Sequence, residues 1–376
     1  MRKYLSVIIL FFSSIPLHSL AQEQNSKHFI IQGKINIDTG TILMDAGERS
    51  KELYPKDFKP ASTKIKNGYF TFTGNVKHPI WVDFKIGKIY TSASTAIVDG
   101  IQNISIDTAG NYQLPKNDNY VMKDVEKYNK HFAPFERKLS NYRLEYEKLS
   151  SIYGRKFPDD LMLKSMKNLK STYVTNDSLL LSFIKDNPNS YYALFKLHQL
   201  LTFGYNKTLG QAYESFSKTL KASPHGKETY KVIIASKPTA VGAKVPNFNA
   251  VNMNGVKLNA AIFAEHKFTL VDMWYSNCLP CIASFDDYKS IRNANHEKGF
   301  EIIGISTDKT KFVGNWKDVI AKHELPWPQY LDLNGVEAHK YNIRVFPTTF
   351  LLNQRGEIVE TNLSPIELKD FLKKNL

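Results

Sequence analysis

The rhythm of apolar and polar positions changes twice along the chain. From about residue 28 to 115, short runs rich in β-branched and aromatic side chains recur: Phe29 to Ile35, Tyr69 to Gly74, Ile80 to Phe84 and Ile101 to Ile106. Turn residues such as Asp38-Thr39-Gly40 and Asn67-Gly68 separate them. Short strands at close spacing predict an all-β, sandwich-like module over 22–117. From 118 to 240 the period lengthens to that of a helix. Val125, Tyr128, Phe132, Phe135, Leu139 and Tyr142 line one face of a glycine-free stretch from Tyr120 to Ser151, which Pro134 is expected to kink or split. Leu161 to Tyr173, Ser178 to Lys185, Ser190 to Thr202 and Leu209 to Ala222 predict further helices, with a break at Asp186-Asn187-Pro188-Asn189. An aromatic stripe at this spacing reads as helix core, not as a ligand site.

From 241 to 376 strands and helices alternate, the pattern of an α/β domain. Asn254-Gly255 marks a hairpin turn. Phe268 to Met273 is a short continuous apolar run, expected as a central parallel strand. Phe300 to Ser306 predicts the next strand, Lys311 to His323 a helix and Trp327 to Leu331 another short strand. Thr348 to Leu352 and Glu357 to Glu360 should pair around Arg355-Gly356. Ser364-Pro365-Ile366-Glu367 is a capping box that opens the last helix. The expected organisation is multidomain: a β-rich module over 22–117, a helical connector over 118–240 and an α/β domain over 241–376.

A length of 376 residues agrees with two or three domains at roughly 150 residues each. The net charge of +14 is uneven. Residues 118–240 carry 20 Lys/Arg against 12 Asp/Glu, whereas 241–376 carry 16 against 15. No nucleic-acid motif accompanies the excess, so it reads as a solvated lysine-rich helical surface and no nucleic-acid partner is expected. At the N-terminus, Arg2 and Lys3 precede an apolar stretch from Tyr4 to Leu17, and Ser19-Leu20-Ala21 places small residues where a signal peptidase reads. The stretch is shorter than the roughly 20 residues of a membrane span. A signal peptide over 1–21, cleaved after Ala21, and a periplasmic, oxidising destination follow as expectations.

Only two cysteines are present, Cys278 and Cys281, which excludes a disulfide-stapled scaffold and a four-cysteine zinc site. His266, His296, His323 and His339 show no paired ligand spacing, and neither a metal nor another cofactor is called for. Cys278-Leu279-Pro280-Cys281 follows a predicted strand and opens a predicted helix. The spacing lets two sulfurs meet in one helical turn, with the first near the positive helix end, where a thiolate is stabilised. Pro280 suits an early helical position because its missing N–H is not needed there. Cys281, expected to be more buried, would resolve and not attack.

This C-terminal region resembles the thioredoxin superfamily, and more closely the exported ResA- and TlpA-type thiol–disulfide oxidoreductases. Leu270-Val271-Asp272-Met273-Trp274-Tyr275-Ser276-Asn277-Cys278-Leu279-Pro280-Cys281, Ile303-Gly304-Ile305-Ser306-Thr307-Asp308 and Phe346-Pro347-Thr348-Thr349-Phe350 carry the resemblance in the family's order. The resemblance implies a thioredoxin-like fold, Cys278 as attacking thiol and Cys281 as resolving thiol. It implies Asp272 as the buried acid that takes the resolving thiol's proton. Trp274 would pack beside the site, among the residues that bind substrate. A cis Pro347, with Phe346 and Thr348, would offer backbone groups to an extended substrate. Protein or thiol disulfides would be the substrates, net reduction the direction, and a membrane-borne electron donor the recycling partner. Asn277, Leu279, Ile282 and Ser284 depart from residues common in the family, and Asp272 is the only matched carboxylate. Upstream, Phe29 to Gly33 and Gly68 to Gly74 resemble the N-terminal module often joined to such domains in Bacteroidetes proteins, and Phe183 to Ser190 resembles its helical connector.

Two rival readings make different demands. A binding or scaffold protein of the envelope would use the β and helical regions and keep the cysteine pair as a vestigial or regulatory site. A peroxidase would want a threonine three residues before the attacking cysteine, where this chain has Tyr275.

Overall fold

The computed structural model describes residues 27–46, 59–87, 89–108, 116–154 and 157–376. The signal peptide expected over 1–21 lies outside the described residues. The first module contains β1 (Lys27–Ile35), β2 (Thr39–Ala46), β3 (Ala61–Lys66), β4 (Tyr69–Val76), β5 (Ile80–Ile86), β6 (Ile89–Ile97), β7 (Gly100–Ile106) and β8 (Lys116–Asn117). They hydrogen-bond as one sheet in the order β6-β5-β2-β3-β4-β1-β7-β8. The period of two sends Ile31, Phe70, Phe72, Phe84 and Ile104 to one side, where they share a single core. The Phe70 and Phe72 rings each lie 6.0 Å from Phe84, although β2 and β3 stand between β4 and β5 in the sheet. The sheet therefore curls over on itself. Where sequence suggested a sandwich-like module, one continuous sheet encloses the core. Gly33 permits this, because a Cβ there would overlap the Phe70 ring.

Among the described residues six helices follow: α1 (Tyr120–Tyr153), α2 (Asp159–Asp186), α3 (Tyr191–Leu201), α4 (Lys207–Glu214), α5 (Lys218–Ala222) and α6 (Pro224–Ser236). Pro134 does not split α1, which runs through it for 34 residues. An interior proline costs about 3 kcal/mol. Burial of Tyr128, Phe132 and Phe135 on both sides of it, worth roughly 2 kcal/mol each, outweighs that cost. The two helices expected over 161–185 are one. No glycine or proline interrupts them, and the Thr175 and Ser178 hydroxyls donate to the carbonyls of Ser171 and Val174 within the helix. Conversely, the helix expected over 209–222 breaks at Ser215 to Ser217. Ser217 caps α5 by accepting from the Leu220 N–H.

Asn119 ties the helices to the sheet. Its Oδ1 caps α1 at the Val121 and Met122 N–H groups, and its Nδ2 donates to Ala96 O and Gln102 Oε1, both at 2.8 Å. Trp81 of β5 stacks on Phe195 of α3 with centroids 5.3 Å apart. His78 (between β4 and β5), His198 of α3 and His225 of α6 are all buried near this junction. Burial pushes His198 down to about 4, and pushes His225 down further with the help of the His198 and His78 charges. An unfolded histidine titrates near ~6.5. Below that pH the unfolded chain binds protons the native state refuses, so stability is full above pH ~6.5 and is lost on acidification. Between pH 6.5 and 5 each of the two histidines should cost about 2 kcal/mol. Denaturant unfolding at pH 7 and pH 5 measures this, and a flat profile would contradict it.

The last region contains β9 (Val251–Asn252), β10 (Phe268–Trp274), α7 (Leu279–Ala283), α8 (Phe285–Asn295), β11 (Phe300–Ser306), α9 (Val313–Lys322), β12 (Gln329–Leu331), α10 (Val336–Lys340), β13 (Thr348–Asn353), β14 (Ile358–Thr361) and α11 (Pro365–Asn375). The sheet order is β14-β13-β10-β11-β12-β9. β10, β11 and β12 run parallel, while β13, β14 and β9 are antiparallel to their neighbours. Every residue of β11 is buried, as a central strand covered on both faces requires. Leu270, Trp274 and Ile302 face α8, α9 and α11 in one cluster. Val271, Met273, Ile303 and Ile305 form the other. Lys167 and Lys170 of α2 pair with Asp370 and Glu360, and Lys369 pairs with Asp159. Part of the middle segment's lysine excess thus faces the α/β domain. Exposed pairs of this kind contribute about 1 kcal/mol or less each.

Candidate active site

β10 delivers the chain to a short loop, Tyr275 to Asn277, from which Cys278 begins α7 as its N-cap. Cys278 and Cys281 form a disulfide with Cα atoms 5.3 Å apart. The Cys281 N–H donates to Cys278 Sγ at 3.2 Å. Both cysteines are 1% exposed. The expected difference in burial is therefore not seen in this oxidised state, because the bond seats both sulfurs in the cluster of Trp274 and Phe285. Around them the surface is apolar: Leu279 is 78% exposed, Val345 37% and Tyr275 36%.

Asp272 lies on β10 between Leu270 and Trp274. By strand alternation it points to the same face as the cysteine cluster. It is fully buried, and its Oδ1 has no hydrogen-bond partner among the described residues. Burial raises its carboxyl to about 7. The phenol of Tyr288 on α8 is held well above its ordinary range, first by its own burial and then by the Asp272 charge. A carboxyl that titrates near neutrality can hold or release a proton at working pH.

A second buried carboxylate was quoted in the motif but given no role by sequence reading. Asp308 accepts from the Ser276 N–H at 2.9 Å, the Ser276 hydroxyl at 2.7 Å and the Ser306 hydroxyl at 2.6 Å. It moors the loop that presents Cys278. The available signal was a carboxylate two residues beyond the end of an apolar strand, at Ser306-Thr307-Asp308. Asp308→Ala would leave these donors unpaired, and is expected to cost about 3 kcal/mol. Urea unfolding would show the loss, and a change under about 0.5 kcal/mol would contradict the mooring role.

Trp274, placed among substrate-binding residues by resemblance, is fully buried. It is core and cannot touch a substrate. Its ring meets Phe285 edge-on at 5.3 Å, and its Nε1–H donates to Gln329 Oε1 at 3.2 Å. Gly304 makes room for that amide, since a Cβ there would overlap it. The Phe346–Pro347 peptide is cis. Phe346 packs against the cysteine cluster and meets Tyr275 edge-on at 5.5 Å. The Thr348 hydroxyl donates to Val345 O at 2.6 Å, closing the loop. Cys278, Cys281 and Phe346 thus share one cluster, Asp272 faces it from within, Pro347 ends the adjoining loop and Thr348 begins β13. Among the described residues no group of three His, Cys, Asp or Glu could hold a metal ion.

Comparison with known proteins finds its matches in the same C-terminal region. Residues 240–373 match the family model described as Redoxin. Thiol-disulfide oxidoreductase ResA of Bacillus thuringiensis subsp. konkukian (strain 97-27) is 26% identical over 137 residues, which are 36% of this chain and 78% of that protein. Sporulation thiol-disulfide oxidoreductase A of Bacillus subtilis (strain 168) is 28% identical over 112 residues, 28% of this chain and 67% of that protein. Among solved structures, the thioredoxin domain of a thiol-disulfide oxidoreductase from Bacteroides vulgatus is 29% identical. It covers 36% of this chain and 96% of that one, with a TM-score of 0.33.

Proposed function

We propose, from the premise that this chain is a thioredoxin-superfamily oxidoreductase with its redoxin domain in residues 240–373, that it is exported and reduces disulfides of other proteins. The observation that carries this reading is the Cys278–Cys281 disulfide at the start of α7, with the buried Asp272 on the same face of the sheet.

In the reduced protein, the Cys278 thiolate attacks one sulfur of a substrate disulfide. That S–S bond breaks, a mixed disulfide forms, and the first substrate thiolate leaves. Asp272 takes the proton of Cys281. The Cys281 thiolate attacks Cys278 Sγ, which restores the Cys278–Cys281 bond and expels the second substrate thiolate. Two electrons pass from this chain to the substrate; the Cys278 proton, released to solvent on ionisation, and the Cys281 proton, given up in turn by Asp272, balance the protonation of the two substrate thiolates. The Cys281 N–H at Cys278 Sγ favours the attacking thiolate. Lowering a thiol from about 8.5 to about 7 raises its ionised share at neutral pH from a few per cent to about half. Tyr275, Leu279, Val345 and Phe346 would receive apolar side chains beside the substrate cysteine. The loop ending at Pro347 and Thr348 would supply backbone hydrogen bonds to an extended segment.

The resulting disulfide needs a two-electron donor for each further turnover, and we assign that to a membrane-borne partner. The sequence over 1–21 supports export to the periplasm. Reduction of insulin's interchain disulfides, with dithiothreitol as donor, tests the activity. Turnover that needs both cysteines is the expected result. A protein that stays inert while binding an envelope partner would favour the scaffold reading instead.

A further inference from the structure

The loop over the disulfide is held from outside the α/β domain. α10 ends in a Schellman motif: the Asn342 N–H donates to His339 O at 3.1 Å and the Ile343 N–H to Ala338 O at 2.8 Å. Asn342 takes the left-handed position, with φ 56°. That position asks only for a residue tolerant of positive φ, for which glycine serves best. The side chain does more. It is buried, and its Nδ2 donates to Leu201 O at the end of α3 at 3.0 Å and to Ser236 Oγ at the end of α6 at 3.1 Å. Its Oδ1 accepts from Arg344 Nε at 3.1 Å. All three contacts engage one amide, five positions before Pro347. Beyond it the chain runs through buried Ile343 to exposed Val345 and then to Phe346 on the cysteine cluster.

We propose that Asn342 is a positioning residue through which the middle helices set the placement of loop 343–347 beside the cysteine pair. The helical region is then part of the substrate-binding apparatus, not a spacer. This rests on the reading of the loop as the substrate-binding one. α3 is itself packed against the β module through Trp81–Phe195, and α6 against α3 through the His198–Thr229 hydrogen bond. The support for the loop therefore reaches back into the N-terminal half of the chain.

Asn342→Gly in the full chain keeps the left-handed turn and removes only the side-chain contacts. Ser236→Ala removes one partner from the far side without touching the loop. Two readouts separate positioning from mere stability. Amide hydrogen exchange at Val345, Phe346 and Thr348 should quicken about tenfold in Asn342→Gly and less in Ser236→Ala. The KM for insulin should rise about tenfold, while kcat, the rate with a small aryl disulfide and the redox midpoint stay at wild-type values. Unchanged exchange and KM in a folded Asn342→Gly would overturn the inference. An equal fall with both disulfides, alongside general loss of exchange protection, would also overturn it by showing a purely structural role. If loop exchange quickens but the KM stays put, Asn342 positions the loop and the loop is not where substrate binds, which overturns the functional half. A wild-type chain that reduces neither disulfide is different: it defeats the oxidoreductase reading first and the inference with it.

Discussion

Cys278→Ser is expected to abolish disulfide reduction, a loss beyond ~10³-fold. A serine hydroxyl is not ionised near neutral pH and cannot enter a two-electron sulfur couple. Cys281→Ser should behave differently. Attack by Cys278 remains possible, but nothing resolves the product, so a mixed disulfide with the substrate accumulates. Non-reducing electrophoresis after mixing reduced Cys281→Ser with insulin should show that adduct, and Cys278→Ser should show none. Adduct formation on Cys281 in the Cys278→Ser protein would reverse the roles assigned to the two thiols. The geometry that makes the assignment is the N-cap position of Cys278, with the Cys281 N–H on its sulfur.

Asp272→Asn should make the protein more stable and less active at once. The native carboxyl titrates near 7 because burial penalises its charge, against an ordinary value of 3.8. Between those values the native state keeps a proton that the unfolded chain has released. Stability therefore falls as pH rises from about 4 to about 7 and stays low above that. The amide carries no such penalty. At pH 8 Asn should stabilise by about 1–3 kcal/mol, less than the full linkage because its new N–H donors need partners in a site that already leaves Oδ1 unpaired. At pH 4 the advantage should vanish. Removing the proton acceptor should also slow turnover roughly 10²-fold at pH 8 and flatten the inflection near pH 7. Urea unfolding at the two pH values, beside a pH–rate profile, checks both halves. Equal stability of Asn and Asp at pH 8 would mean that Asp272 is not held protonated by burial.

Legibility followed how local each signal was. The cysteine pair, its strand and its helix lie within sixteen residues, Phe268 to Ala283, and their chemistry could be named from spacing. The apolar strands of the α/β region were continuous enough to place. Asp308, Gln329 and Asn342 could not be assigned in this way. Each acts on a residue far along the chain, on Ser276, Trp274 and Leu201 respectively, and a polar residue alone does not say which distant donor it meets. The β module shows the same limit. Its strands were visible as alternating runs, yet β1 pairs in parallel with β7, far along the chain, and in antiparallel with β4. In the helices, local propensity lost to packing at Pro134, where buried aromatic residues carry α1 through. Trp274 shares the cysteine cluster, and alternation along β10 turns it inward to the core.

The redox equilibrium of the protein from residue 22 onward, in graded dithiol buffers with thiols trapped by alkylation, tests the central claim most directly. The account predicts one reversible two-electron transition, lost in Cys278→Ser, at a potential on the reducing side near about −270 mV. On this scale a shift of about 30 mV corresponds to about 1.4 kcal/mol. A midpoint near about −120 mV would make the protein an oxidant and contradict the proposed direction. A Cys278–Cys281 bond that resists strong reductant altogether would contradict the dithiol mechanism itself.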